Sequence, residues 1–362
     1  MRLKFMNIVD WIKENIRNGT FEAGERLPTE EEMSGQFSCS RYTVRQALTN
    51  LEKDGLIYKI QGNGTYISEN LDGLIERRRR SDSKVIGVIL TNSQAHIFPR
   101  LIRGISDELA ERGYLLSLLI SDGDFQKERE AIERIMNLNP AGIILEPVGS
   151  GLTSYNDDLY KKMAEEIPMI MIHRPPSYIC PVLSLRDREG TRRIMSYLIE
   201  KGHTKIGSIY CYDEQAAKNR YMGYLDEMYA HGFEVKEENS IWISRRLVGD
   251  LFPPNGNYML ERMLKNVTAI VCHDDRIAYE LVKYLEGRGI DVPGKISVVG
   301  YDDVETFADS DVKLTTMEHP KERFGANVAG AILGLINDPE NFDITEYEIE
   351  PEFKIRESTG EV

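Results

Sequence analysis

The stretch TEEEMSGQFSCSRYTVRQALTNLEKDG, Thr29 to Gly55, decides how the N-terminal part of this 362-residue chain is read. Thr29-Glu30-Glu31-Glu32 matches a capping box, in which a hydroxyl and the third-position carboxylate satisfy backbone donors reciprocally, so a helix is expected from there to about Phe37. After the break Ser38-Cys39-Ser40, Val44, Leu48 and Leu51 share one face of a second helix that stops at Gly55. Upstream, Phe5, Ile8, Trp11, Ile12 and Ile16 recur at helical spacing until Gly19. Downstream, Leu56 to Ile60 and Thr65 to Ile67 read as short strands joined by Gln61-Gly62-Asn63-Gly64, whose glycines permit a tight turn. The order is helix, helix, turn, helix, wing, and residues 1–70 are expected to form a winged helix-turn-helix domain.

Such a motif presents the start of its second helix to the DNA major groove. Here that surface is Ser40, Arg41, Tyr42, Thr43, Arg45 and Gln46. Arginine pairs bidentately with guanine and glutamine with adenine, so these side chains suit base reading, although composition alone also fits a merely solvated helix face. The net charge of −14 argues against nucleic acid when averaged over the chain. Residues 1–70, however, hold nine Lys/Arg against ten Asp/Glu, so nearly all the acidity lies beyond them.

Residues 71–83 read as a linker, with the run Arg77-Arg78-Arg79-Arg80 either solvated or available to phosphates. From Lys84 to the end, apolar strands alternate with amphipathic helices: KVIGVIL, Phe98 to Arg112, YLLSLLI, Lys127 to Leu138, AGIILE, Leu159 to Glu166, PMIMI. The pattern restarts with Glu189 to Glu200, KIGSIY, Ala216 to His231, SIWIS, Tyr258 to Leu264, AIVCH, Ile277 to Arg288 and KISVVGY. This predicts an α/β domain over 84–362, built as two doubly wound parallel-sheet lobes, one after the other, with a cleft between them.

Ligands of open α/β sheets bind beyond the carboxyl ends of the strands. Those ends carry His96, Phe98, Glu146, His173, Arg174, Asp187, Asp274, Asp275, Asp302 and Asp303, with Arg220 at a helix start and His319 before Pro320. Carboxylates and arginines offer the directional acceptors and donors that sugar hydroxyls need, and an aromatic face covers the apolar side of a ring. Together they read as a polyol or sugar pocket.

Two resemblances sharpen this reading. Gly24 to Ile67, with G-E-R-L-P-T-E-E-E-M, S-R-Y-T-V-R-Q-A-L and G-N-G-T-Y-I, resembles the winged helix-turn-helix of GntR-type bacterial regulators. The resemblance implies that Arg41 and Arg45 carry the main DNA contacts beside Tyr42 and Thr43, with Gln61, Gly62, Asn63 and Gly64 as a wing tip in the minor groove. Members of that family often have a basic residue in the preceding helix, where this chain has Glu30, Glu31 and Glu32. Residues 84–356, with R-Y-M-G-Y, H-D-D-R-I-A, V-V-G-Y-D-D, L-T-T-M-E-H-P and D-R-E-G, resemble LacI/GalR-type effector domains, which share the periplasmic sugar-binding fold. That resemblance implies Phe98, His173, Arg174, Arg220, Asp274, Asp302 and His319 as sugar contacts. The fusion of the two, with I-F-P-R-L-I-R-G-I, I-I-L-E-P and V-G-Y-D-D, is similar to the arabinose-repressor family of low-GC Gram-positive bacteria. This implies L-arabinose as effector, Glu146 as a further contact, and release from operator DNA on sugar binding.

The remaining expectations are exclusions and assembly. Apolar runs end after six or seven residues, short of the ~20 that span a bilayer, and the N-terminus lacks a signal-peptide pattern, so a cytoplasmic protein is expected. Cys39, Cys180, Cys211 and Cys272 stand singly, so neither a disulfide framework nor a metal site is expected, and no cofactor. No phosphate loop, dinucleotide turn, nucleophile elbow or HExxH motif is present, which sets a sugar-processing enzyme below a sensor. A transport-type binding protein fits the second part alone, and another pentose or hexose fits the pocket as well as L-arabinose does. Palindromic operators match two-fold proteins, so a homodimer is expected, with its face near residues 98–150.

Overall fold

The first unit, Met1–Ser83, opens with α1 (Lys4–Arg17), α2 (Glu30–Gln36) and α3 (Arg41–Lys53), followed by β1 (Ile57–Ile60) and β2 (Gly64–Ile67). In this computed structural model the described residues are 4–69, 83–92, 97–174, 179–305, 312–339, 341–342 and 346–362. Arg77 to Arg80 and His96 therefore lie outside the described residues. The capping box forms: Thr29 accepts from the Glu32 amide, and Glu32 accepts from the Thr29 amide at 2.7 Å. Ile8, Ile12, Met33, Val44, Leu48, Leu51 and Ile67 make the apolar centre. Trp11 closes it edge-on against Phe21 and Phe37, with ring centroids 5.4 Å away in each case. β1 and β2 pair antiparallel from Ile57–Ile67 to Ile60–Gly64, and the turn between them uses positive φ at Gly62 and Gly64.

The second unit, Lys84–Val362, runs β3 (Val85–Leu90), α4 (Phe98–Glu111), β4 (Leu115–Ile120), α5 (Phe125–Met136), β5 (Gly142–Leu145), α6 (Asp157–Glu166), β6 (Met169–Ile172) and β7 (Val182–Leu185). It continues with α7 (Asp187–Glu200), β8 (Ile206–Cys211), α8 (Gln215–Ala230), β9 (Ser240–Ile243), a 3-10 segment Arg245–Leu251, α9 (Tyr258–Leu264), β10 (Ala269–Cys272), α10 (Asp275–Glu286), β11 (Ser297–Asp302) and β12 (Thr315–Glu318). Last come α11 (Lys321–Asn337), β13 (Glu346–Ile349) and β14 (Glu352–Lys354). Among the described residues there are two six-stranded sheets, ordered β13-β7-β6-β5-β3-β4 and β14-β12-β11-β10-β8-β9. All their pairings are parallel except that of β14 with β12.

The lobes are interlaced, which corrects the expectation of one lobe after the other. After β12 the chain returns to lobe 1 as α11 and β13, then crosses again so that β14 edges lobe 2. A Cβ on Gly104 would stand 2.1 Å from the Glu322 carbonyl oxygen, and one on Gly325 2.3 Å from that of Leu101, so two glycines let α4 and α11 touch backbone to backbone. α11 buries Phe324, Val328, Ala329, Ala331, Ile332 and Leu333, a spread that covers more than one stripe and blurs the helical period in the sequence. Among the described residues no helix is long and apolar enough to cross a membrane.

Candidate functional sites

On α3 the side chains of Arg41, Tyr42, Arg45 and Gln46 are exposed, Tyr42 at 76%. Ser40 is the N-cap: its oxygen accepts from the Thr43 amide at 3.2 Å and lies 2.9 Å from the Thr43 hydroxyl, so both residues shape the helix start. The wing residues Gln61, Gly62 and Asn63 are exposed, and a Cβ on Gly64 would stand 2.7 Å from Arg26 Nε beneath it. Two ion pairs cross between α2 and α3, Arg41–Glu31 at 2.9 Å and Arg45–Glu30 at 2.8 Å. The acidic helix thus lies against both arginines of α3, a relation invisible in the composition.

In the second unit, strand ends bring several of the expected side chains together. Glu146, just past β5, accepts from the Thr91 amide at 3.1 Å and its hydroxyl at 2.6 Å, while its other oxygen lies 2.9 Å from His173 Nδ1. His173 sits at φ +54° and stacks on Phe324 with centroids 5.1 Å apart. The His319 ring stands edge-on to both, 5.7 Å from His173 and 5.2 Å from Phe324. Burial opposes charge on His173, but the bond and charge of Glu146 outweigh it and raise its pKa. Burial, reinforced by His173, pulls His319 down to about 3. Among the described residues, both ring nitrogens of His319 are buried without a hydrogen-bond partner.

Across the cleft the Arg220 guanidinium is buried and held on three sides. It donates to Asp187 at 2.8 Å, to the His273 carbonyl, and faces Asp302 at 3.6 Å, while lying 3.5 Å over the Tyr301 ring. Asp274 caps α10 by accepting from the Ile277 amide at 2.9 Å and takes a bond from Arg245. Arg245 also donates to Glu214 at 2.6 Å, and Glu214 lies 2.7 Å from His273 Nε2. Burial opposes ionisation of Glu214, yet Arg245 and His273 hold its pKa well below the usual range. Asp275 faces inward: burial pushes its carboxyl up to about 8 against bonds from Thr316 at 2.6 Å and the Val304 amide at 2.8 Å. Asp303 takes a bond from Arg356 at 2.7 Å.

The expected residues do not all converge. Glu146, His173 and His319 meet, as do Arg220, Asp187 and Asp302, with the His319 amide donating to the Asp302 carbonyl at 3.3 Å. Arg174 turns to Asp157 at 2.6 Å and lies over Tyr160, and Phe98 joins the lobe-1 core beside Leu101 and Ile172. The lobes touch at the far rim: the Gly151 amide donates to Asp213 at 3.1 Å, the Gln215 amide to Ser150 at 3.1 Å, Lys218 to the Gly151 carbonyl, and Arg246 to that of Gly123. A Cβ on Gly151 would stand 2.8 Å from the Glu214 carbonyl carbon.

Residues 6–67 match the bacterial regulatory proteins, gntR family, and residues 195–359 the periplasmic binding protein-like domain. Over 362 residues, covering 99% of this chain and 98% of the relative, the chain is 31% identical to an arabinose metabolism transcriptional repressor of Geobacillus stearothermophilus. The chain belongs to this family of transcriptional repressors. A second member, from Halalkalibacterium halodurans, is 28% identical over 100% of this chain and 98% of its own. The transcription regulator CcpA of Lactococcus lactis, 20% identical, superposes with a TM-score of 0.67 over 76% of this chain and 99% of its own, which shows the fold of the second unit. The repressor family's two parts thus correspond to the winged unit and the two-lobed unit. Sequence reading missed Arg245, which the fold brings onto Asp274; the signal was the Arg245-Arg246 pair one residue beyond the end of β9, a strand end like the others.

Proposed function

We propose that this repressor senses a neutral sugar, L-arabinose, in the interlobe cleft, and that sugar binding releases it from a palindromic operator. The observation that carries the reading is the pairing state of the cleft. Arg220 and Arg245 each already face two carboxylates, whereas the His319 nitrogens are buried and unpaired beside an aromatic face. The charge of these two arginines is therefore already matched by carboxylates, while the His319 nitrogens leave hydrogen-bonding capacity for hydroxyls. The name carried by the full-length relatives supports arabinose as the sugar.

Arg41, Arg45 and Gln46 read bases, Tyr42, Thr43 and Ser40 flank them, and Gln61 to Gly64 reach the minor groove. Two copies pair through lobe 1, where β4 is an edge strand of sequence LLSLLI with Leu115 69% exposed, the kind of apolar edge that a partner covers. The protein acts in the cytoplasm, without cofactor or metal, and leaves its sugar chemically unaltered. Sugar and DNA favour different lobe arrangements, so each weakens the other's binding by the same factor.

Calorimetric titration with L-arabinose, D-xylose, D-ribose and D-galactose tests this. Selective binding of L-arabinose supports the reading, selective binding of another replaces the sugar, and binding of none removes the sensor assignment. Conversion of the sugar during incubation with excess protein contradicts it.

A further inference from the structure

Asp302 and Asp303 are consecutive non-glycine residues with φ of +99° and +50°. Each such residue costs on the order of 1–3 kcal/mol and persists only where its surroundings over-determine it. The strain has a use, because Asp302 ends β11 with its carboxylate 3.6 Å from the Arg220 guanidinium, so this turn aims one wall of the cleft.

The group that holds the turn is Lys321, a lysine only 4% exposed. Its ammonium donates to the Asp302 carbonyl, to the Asp303 carbonyl at 2.9 Å and, at a longer 3.4 Å, to the His319 carbonyl. All three protons therefore go to backbone oxygens at the crossing between lobes. The ends of this cage belong to different bodies: Lys321 is the first residue of α11 in lobe 1, and Asp302 and Asp303 close a strand of lobe 2. α11 is in turn locked to α4 by the close approaches at Gly104 and Gly325.

We propose that Lys321 is a positioning residue for effector recognition, whose ammonium holds the Asp302–Asp303 turn in its left-handed form and pins the cleft wall to lobe 1. The proposal rests on the effector reading above. Lys321 acts through Asp302 and His319, and it ties the two sides of the pocket to one pivot.

The test compares full-length wild type, Lys321→Met, Asp303→Gly and Lys321→Met/Asp303→Gly by calorimetry with L-arabinose, D-xylose, D-ribose and D-galactose, alongside sugar-free operator affinity and amide exchange. Lys321→Met is expected to bind the wild-type sugar about tenfold more weakly, one unpaid strain of ~1.4 kcal/mol, with operator affinity within about twofold of wild type. Glycine adopts positive φ without strain, so the double variant regains at least about threefold, a rescue that a merely destabilised fold would not show. In sugar-free Lys321→Met, exchange at Val304 and His319 rises about tenfold while that of α10 is unchanged. Sugar affinity within about twofold of wild type in Lys321→Met, or a loss that glycine leaves uncorrected, overturns the proposal. If wild type binds none of the four sugars, the effector reading fails by itself, and unchanged exchange at Val304 and His319 then overturns the pin as well.

Discussion

Arg45 Nε lies 2.8 Å from Glu30 Oε2, so an arginine proposed to read DNA is already paired to the helix before it. Arg41 is held in the same way by Glu31 at 2.9 Å. Both pairs are largely exposed and worth at most ~1 kcal/mol to the fold, so their effect falls on binding. Phosphates must displace the carboxylates or accept their repulsion. Glu30→Gln/Glu31→Gln is expected to bind non-operator DNA several-fold more tightly at low salt, with a steeper salt dependence and a melting point close to wild type. Fluorescence anisotropy on random-sequence duplexes checks this, and an unchanged affinity and slope would contradict it.

Under the proposed function, replacing Arg45 removes a base contact. Arg45→Ala should cost ~1–3 kcal/mol of operator affinity and leave sugar affinity as it is. The same assay on operator and scrambled duplexes decides it, and equal loss on both would make Arg45 a phosphate contact only.

Arg220 is a buried charge in the proposed sugar site, facing Asp187 at 2.8 Å and Asp302 at 3.6 Å. Arg220→Ala leaves those carboxylates without their counter-ion, at a cost of ~3–5 kcal/mol to the effector unit, and should abolish the sugar response. Operator binding at low temperature should survive in the winged unit, giving a repressor that sugar cannot release. Calorimetry with gel-shift titration measures both, and a normal sugar response would remove Arg220 from the site.

Gly151 admits the close approach of the rim loops, since a Cβ there would press on Glu214. Gly151→Val is expected to hold the lobes apart and weaken sugar binding about tenfold or more, with operator affinity no lower than that of wild type. A variant that binds sugar as wild type does would show that rim contact is not needed for the bound state.

The two cleft histidines give opposite pH signatures. His173 titrates near pH 6.5 when unfolded and higher when folded, so its contribution is present below about pH 6.5 and lost as pH rises through the folded value. His319 has a folded value near 3, so its contribution is present above about pH 6.5 and lost as pH falls toward 3. His173→Gln should flatten only the alkaline side of stability measured between about pH 5 and 9. Equal alkaline slopes in variant and wild type would contradict the Glu146–His173 pairing.

Local chemistry made much of this legible. The boundaries of α2 and α3 follow from caps at Thr29 and Ser40, which act within three residues. Glu146, His173, Asp274 and Asp302 do lie at strand ends, because a parallel sheet puts those ends on one edge. What could not be read depends on distant partners. Arg245 meets an Asp274 that is 29 residues away, and Lys321, beside Pro320 and Glu322, has the look of a surface lysine until β11 is folded against it. The interlacing escaped because α11 is apolar around much of its girth and β13 and β14 are short.

The central claim is that sugar in the cleft releases the repressor from DNA. Its most direct test is anisotropy of a labelled operator duplex held by full-length protein, titrated with L-arabinose and, separately, with D-xylose, D-ribose and D-galactose. Dissociation by L-arabinose is expected at concentrations where the other three leave the complex intact. Operator occupancy that no sugar changes, in a protein shown to bind L-arabinose, would contradict it.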